Sequence, residues 1–305
     1  MKKAAVVGHP ISHSLSPVVF QFLKSRCHVP GPDLFDLHYV ALDVLPADLV
    51  KTITQLSRDP DWTGLNITIP HKESVIALMS GLSQDAELTG AVNVIGFENG
   101  QRHGYNTDVH GISQTLIEHQ VDLAGKNALV IGAGGAARAA CLSLIRAGAR
   151  EVLILNRSRS RAQVMIESLQ RAATTLGQET KFHISAPGET AWPGELELEL
   201  RYAIAIQATP MGMQGFANDE EFFGRLGIWH RLTPGAVALD LIYRPEHTTF
   251  LRLAKERGLR CLGGLDMFAH QALETWRIWF GAGSLATDSK NALVVLLKRE
   301  LEKSS

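Results

Sequence analysis

Ala128-Leu129-Val130-Ile131 runs straight into Gly132-Ala133-Gly134-Gly135-Ala136-Ala137, and the helical spacing of Ala139, Ala140, Leu142 and Leu144 follows at once. Strand, glycine loop and helix in this order are the context in which a glycine-rich turn binds a dinucleotide. The first glycine permits the tight bend, and Gly134 lets the backbone approach a pyrophosphate. Small Ala137, in place of a third glycine, allows close helix–strand packing. The N–H groups at the helix N-terminus then face the anion. Glycines also make ordinary tight turns, and it is the flanking strand and helix that separate the two readings.

On the C-terminal side, short apolar runs at 152–155, 181–184, 203–206, 236–242 and 260–262 join the run at 127–131. They alternate mainly with helical segments, which predicts a doubly wound domain. On the N-terminal side, runs at 4–7, 37–42, 65–69 and 92–97 alternate with helical stretches, which predicts βαβ units and a mostly parallel sheet. The fold class is therefore α/β: an N-terminal α/β domain plus a Rossmann-like doubly wound domain. After Gly264 the residues Leu265, Phe268, Ala272, Trp276 and Trp279 step by three and four, and 290–303 forms a last amphipathic helix. These helices are expected to return to the first domain. The stretch 185–199, with Pro187, Gly188, Pro193 and Gly194, reads as a surface loop.

The 305 residues carry 30 Lys+Arg against 31 Asp+Glu, a net charge of −1 spread along the chain, with 45% hydrophobic residues. That length suits about two domains of ~150 residues each. Without a basic block there is no footprint for nucleic acid or an anionic membrane surface. No run of ~18 apolar residues is present, so no transmembrane helix is expected, and the N-terminus reads as a first strand rather than a signal peptide. Cys27, Cys141 and Cys261 lie far apart, which indicates neither a zinc site nor a disulfide framework. No metal is expected, and a reducing, cytoplasmic location fits best.

The second strand of the doubly wound domain ends in Asn156-Arg157-Ser158-Arg159-Ser160-Arg161, where an NAD-binding protein usually places Asp or Glu about 20 residues beyond the glycines. An acidic side chain there would bond the ribose 2′-hydroxyl and repel a 2′-phosphate. Arg157 and Arg161 instead suit that phosphate through charge-assisted bonds, so NADP is the expected cofactor.

In the first domain, His13-Ser14-Leu15-Ser16-Pro17 equally suits a helix cap with Pro17 in the first turn. Gly64-Leu-Asn66-Ile-Thr68-Ile-Pro70-His71-Lys72 reads as a strand delivering Lys72 at its C-terminal end, where α/β sheets hold ligands. Alone, such a lysine is an ordinary surface residue, and His71 beside it is expected to be exposed. Gly90-Ala-Val-Asn93 and Gly104-Tyr-Asn106-Thr-Asp108 place an amide and a carboxylate beside turns, and Asp108 would equally serve as an N-cap.

Together these segments resemble the shikimate dehydrogenase family, including its shikimate/quinate branch. The similarity continues through the glycine loop, Asn156–Arg161, Ala208-Thr-Pro-Met-Gly-Met213, Asp240-Leu-Ile-Tyr-Arg-Pro245 and Gly264-Leu-Asp-Met-Phe-Ala-His-Gln271. The resemblance implies a shikimate-binding catalytic domain over 1–109 plus 275–305 and an NADP-binding Rossmann domain over 110–274, with the substrate in the cleft between them. It implies that Ser14, Ser16, Thr68, Asn93 and Gln271 hold the ring acid, and that Lys72 and Asp108 form the catalytic pair. It further implies NADP contacts from Gly132, Ala133, Gly134, Gly135, Ala136, Asn156, Arg157, Ser158 and Arg161, and from Thr209, Met213, Tyr243 and Gly264. The Ser14/Ser16 pair favours shikimate over quinate within that family. Three departures stand out: His9 and Gln207, each where many members carry Asn, and a 185–199 loop longer than is usual in the family.

The implied activity is reversible, NADP-dependent reduction of 3-dehydroshikimate to shikimate by a monomer or homodimer, with a small-molecule substrate as the partner. A quinate-favouring enzyme and a catalytically silent NADP(H) sensor are the alternatives. Reduction of a ring ketone needs a positioned proton donor, for which Lys72 beside Asp108 is the candidate. Which of the two carries the proton is left open by the sequence.

Overall fold

The computed structural model describes residues 1–12, 14–27, 36–185, 200–213, 216, 220–225, 227–281, 285–286 and 288–303. The chain divides into two compact units, Met1–Gly111 with Phe268–Ser305, and Ile112–Met267. The second crossing thus falls at 267/268, ahead of the 274/275 boundary expected from sequence. Most of the proline- and glycine-rich stretch 185–199 lies outside the described residues; Ser185 itself ends a strand.

The first unit contains β1 (Lys2–Gly8), α1 (Ser16–Ser25), β2 (Leu37–Asp43), α2 (Leu49–Leu56), β3 (Trp62–Ile67), β4 (Gly81–Leu82), α3 (Gln84–Thr89), β5 (Val94–Glu98), β6 (Gln101–Tyr105) and the start of α4 (Thr107–Glu118). Its sheet has the order β2-β1-β3-β5-β6-β4. β1 pairs parallel with β2 and β3, so the loops after β1 and β3 emerge at one edge, with Val7 opposite both Leu42 and Ile67. The sheet is mostly parallel, as expected: β4 pairs parallel with β6, and β5 alone is reversed, running antiparallel to both β3 and β6. The β5–β6 hairpin turns on Asn99 and Gly100, whose φ values of 50° and 76° are the left-handed pair that a tight two-residue hairpin demands.

The second unit begins within α4 and contains β7 (Asn127–Ile131), α5 (Gly135–Arg146), β8 (Glu151–Leu155), α6 (Arg159–Thr175), β9 (Lys181–Ser185), β10 (Tyr202–Gln207), α7 (Glu220–Arg225), β11 (Leu232–Asp240), α8 (Thr249–Glu256), β12 (Arg260–Leu262) and the first turn of α9 (Gly264–Phe280). All six strands are parallel in the order β12-β11-β10-β7-β8-β9. Such strands are covered on both faces, and β7 is accordingly buried from end to end. The order reverses at β7, and ligands of doubly wound sheets bind beyond the strand ends at that reversal. Register aligns those ends: Ile131 faces Leu155 on one side and Gln207 on the other, and Gln207 faces Asp240. Behind them α6 buries Ala162, Met165, Ile166, Leu169, Ala172 and Ala173, a stripe at helical spacing.

The rest of α9 and α10 (Ser289–Glu302) belong to the first unit. Trp276 is fully buried, and Trp279 places its ring centroid 5.3 Å from that of Phe20. Phe20 in turn stacks on Tyr39 at 4.3 Å. Trp279 Nε1 donates to Ile95 O at 3.1 Å, tying α9 to β5. Gly64 makes this approach feasible, since a Cβ there would collide with Ile95 O and the Trp279 indole.

Candidate functional site

In the first unit, β3 ends before Pro70 and hands Lys72 to the C-terminal edge, where Val92 N donates to Lys72 O at 2.7 Å and pins the segment. Asp108 sits in the first turn of α4, its side chain 5% exposed. It lies inside the helix rather than at the N-cap position. Lys72 Nζ donates to Oδ2 at 2.6 Å, and Asn93 Nδ2 donates to Oδ1 at 2.8 Å. Both are short, charge-assisted bonds of the stronger kind.

Asn93 also donates to Thr107 Oγ1 at 3.0 Å, while its Oδ1 accepts from Thr107 N at 2.7 Å. Gln271, on α9, meets the same hydroxyl through Oε1 at 3.3 Å. Thr275 lies one helical turn further on and continues the chain of hydrogen bonds to Asn66 and then Tyr39. Four of the expected residues, Lys72, Asn93, Asp108 and Gln271, thus join one polar network with Thr107 at its centre. Asn66, Thr107 and Thr275 carried no role in the sequence reading, although Asn66 and Thr107 lie inside the quoted segments and Thr275 follows Gln271 by four on one helix face.

Ser14, Ser16 and Thr68 stand outside that network. Ser14 Oγ accepts from Ser16 N at 3.2 Å, so the serines form a local turn while Leu15 occupies the capping position of α1. Thr68 N donates to Val7 O, placing it beside β1. His71 corrects the expectation of an exposed ring: it is fully buried, and Nε2 donates to Val44 O at 2.7 Å. His9 Nδ1 lies 2.6 Å from Asp43 Oδ1, a contact that holds the Asp43 carboxyl below the usual range.

In the second unit the glycine loop spans the end of β7 and the start of α5. Gly132 has φ 118°, and a Cβ there would sit 3.1 Å from Thr209 Cγ2, so only glycine lets the 208–209 backbone close on the loop. Gly134 is open by contrast: a Cβ would meet nothing nearer than Arg161 Nη2 at 3.9 Å. Gly135 and Ala136, in the first turn of α5, are like Gly134 only partly buried.

Arg161 Nε donates to Ala133 O at 3.2 Å, which holds that side chain against the loop. Ser158 caps α6 by accepting from Arg161 N, and Asn156 Nδ2 donates to Ser158 O at 2.8 Å, while Arg157 is exposed. No carboxylate ends β8.

Gln207, fully buried, accepts from Thr209 N and Oγ1 and donates to Thr209 O and Met211 O. One amide thus shapes the turn carrying Thr209 and leading to Met213. Gly264 opens α9 against Leu241 and Ile242, whose carbonyl oxygens lie 2.7 Å from where a Cβ would be, and half-buried Tyr243 follows them. At the end of β11, Asp240 is fully buried; Thr248 Oγ1 and Ile242 N donate to it, yet burial still pushes its carboxyl up to about 7.

A six-stranded parallel sheet in this order, with an open glycine loop at its reversal and an arginine held beside it, defines a Rossmann-like α/β protein with a separate second unit. Residues 6–95 match the model of the shikimate dehydrogenase substrate binding domain, and 115–184 match that of the shikimate / quinate 5-dehydrogenases. A shikimate dehydrogenase (NADP(+)) of Symbiobacterium thermophilum is 37% identical over 90% of this chain and 88% of its own. One from Methanothermobacter thermautotrophicus is 33% identical over 97% and 96%. The crystal structure of a Thermus thermophilus shikimate 5-dehydrogenase with NADP(H) and shikimate superposes with a TM-score of 0.74, at 29% identity over 97% of this chain and 100% of the other. The chain belongs to the shikimate dehydrogenase family.

Proposed function

We infer that this chain catalyses the reversible, NADP-dependent reduction of 3-dehydroshikimate to shikimate, a step of aromatic amino acid biosynthesis. The observation that carries this reading is the buried Lys72–Asp108 contact at 2.6 Å, backed by Asn93, in a chain of this family. NADP supplies or accepts the hydride when bound. Lys72 has two further N–H hydrogens beyond the one directed at Asp108, so it can donate to the ring oxygen that gains or loses a proton. A positive charge aimed at that oxygen stabilises developing alkoxide, and Asp108 holds the ammonium in place. The two groups act as a unit at the ring oxygen.

Ser14, Ser16, Thr68, Asn93 and Gln271 are assigned to the substrate's hydroxyls and carboxylate. The open α5 N-terminus at Gly134, Gly135 and Ala136 suits the pyrophosphate, and Asn156, Arg157, Ser158 and Arg161 suit the 2′-phosphate. Gly132, Ala133, Thr209, Met213, Tyr243 and Gly264 complete the cofactor side. The three free cysteines fit a reducing, cytoplasmic setting.

A second reading, quinate as the preferred acid, is favoured by the breadth of the shikimate / quinate family model. Initial rates with shikimate and quinate, each with NADP and NAD, separate the two. Shikimate with NADP is expected to give the highest kcat/KM, and a higher value for quinate would move the assignment to that branch.

A further inference from the structure

The Thr107 hydroxyl has three acceptors at 3.3 Å, namely Asn93 Oδ1, Gln271 Oε1 and Thr275 Oγ1. It has a single hydrogen to give. Asn93 Oδ1 already accepts from Thr107 N, and Thr275 Oγ1 already accepts from Asn66 Nδ2. Those two oxygens each keep a second lone pair, but Gln271 Oε1 is the one that accepts from no other donor among the described residues, and we place the hydroxyl hydrogen there. The lone pairs of the same oxygen receive Asn93 Nδ2.

This arrangement orients two amides at once. Both hydrogens of Asn93 Nδ2 are engaged, one by Thr107 and one by Asp108. Asn93 therefore presents only the remaining lone pair of Oδ1, an acceptor. Gln271, with Oε1 turned to Thr107 and one Nε2 hydrogen on Phe268 O, keeps one N–H, a donor. Thr107 is 2% exposed and Thr275 fully buried, so water does not substitute for either hydroxyl.

We propose that Thr107 is a positioning and specificity-determining residue, whose hydroxyl fixes Asn93 as a hydrogen-bond acceptor and Gln271 as a donor toward the polyhydroxylated ring acid. The assignment of a ring acid rests on the function inferred above; the orientation of the amides does not. Val at 107 keeps the shape and removes the hydroxyl. It leaves an Asn93 hydrogen unreceived and the Gln271 amide free to turn over.

The test compares wild type, Thr107→Val and Thr107→Ser by two readouts. The first is side-chain amide hydrogen exchange of Asn93 and Gln271 in the ligand-free protein, followed by NMR and assigned by signals lost in Asn93→Asp and Gln271→Glu. Thr107→Val should exchange on the order of tenfold faster, and Thr107→Ser should match wild type. The second is the Kd of shikimate beside that of NADP. Thr107→Val should weaken shikimate roughly 5–30-fold, the range a loss of one or two neutral hydrogen bonds gives, with Thr107→Ser restored and NADP unchanged in both. Unchanged exchange in Thr107→Val overturns the fixing of the amides. Faster exchange with unchanged shikimate affinity overturns the positioning role. Faster exchange in a protein whose wild type binds no shikimate upholds the fixed amides and overturns the ring-acid assignment instead.

Discussion

Lys72 and Asp108, 36 residues apart in sequence, meet at 2.6 Å with the carboxylate 5% exposed and its second oxygen held by Asn93. A carboxylate so buried is costly unless paired and hydrogen-bonded, and here both oxygens are. The lysine is thereby fixed by two other elements rather than by its own flexible stem.

Replacing Lys72 by Ala is expected to lower kcat by about 10²–10⁴-fold, the usual effect of losing a positioned proton-transfer group, with NADP affinity retained. Asp108→Ala should be similarly severe. The double variant should lose far less than the two effects multiplied, because the groups act as a unit. Steady-state kinetics with separate NADP titrations check this, and multiplicative losses would argue against a pair.

On the function proposed above, the arginines after β8 are expected to set cofactor choice. Arg157→Ala should weaken NADP by roughly 1.5–3 kcal/mol, the value of a charged hydrogen bond, and leave NAD nearly unchanged. Fluorescence titration with both nucleotides measures the difference. Equal weakening of the two would remove Arg157 from the 2′-phosphate site.

Asp240 makes stability depend on pH in a direction opposite to that of a paired carboxylate. Its folded pKa of about 7 lies above the ordinary 3.8, so the folded chain binds more protons than the unfolded chain between those values. Stability therefore falls as pH rises through that window, by up to about 4 kcal/mol in all. Asp240→Asn should flatten that fall while keeping the bond from Ile242 N. Urea unfolding near the two ends of the window, on wild type and variant, reads the slope directly; an identical slope in both would remove Asp240 as its source.

Gly264→Ala places a methyl group 2.7 Å from two backbone carbonyl oxygens that cannot rotate away. The start of α9 must shift, at an expected cost of about 1–3 kcal/mol, visible as a lowered Tm. An unchanged Tm would show that the turn after β11 yields.

The parts that read clearly from sequence are those made by burial. β7, β8, β10 and β11 are covered on both faces, so they stand out as apolar runs, and the glycine loop follows one of them. β6 did not stand out, because Gln101-Arg102-His103 is polar. The Asn99-Gly100 pair was the available signal for its hairpin. The burial of His71 is not legible locally, because it depends on Val44 O, 27 residues away. The contacts of the Thr107 hydroxyl with Gln271 and Thr275 span 164 and 168 residues, so no local spacing announces them. Lys72 and Asp108 were reached only through the family resemblance, since a lone lysine and a helix-start aspartate have commoner uses.

Shikimate deuterated at C3, incubated with NADP and the purified protein, tests the central claim most directly. Wild type should form NADPH carrying one deuterium for each 3-dehydroshikimate produced, and Lys72→Ala should form it orders of magnitude more slowly. NADPH without deuterium, or no NADPH from shikimate at all, would contradict hydride transfer at this site.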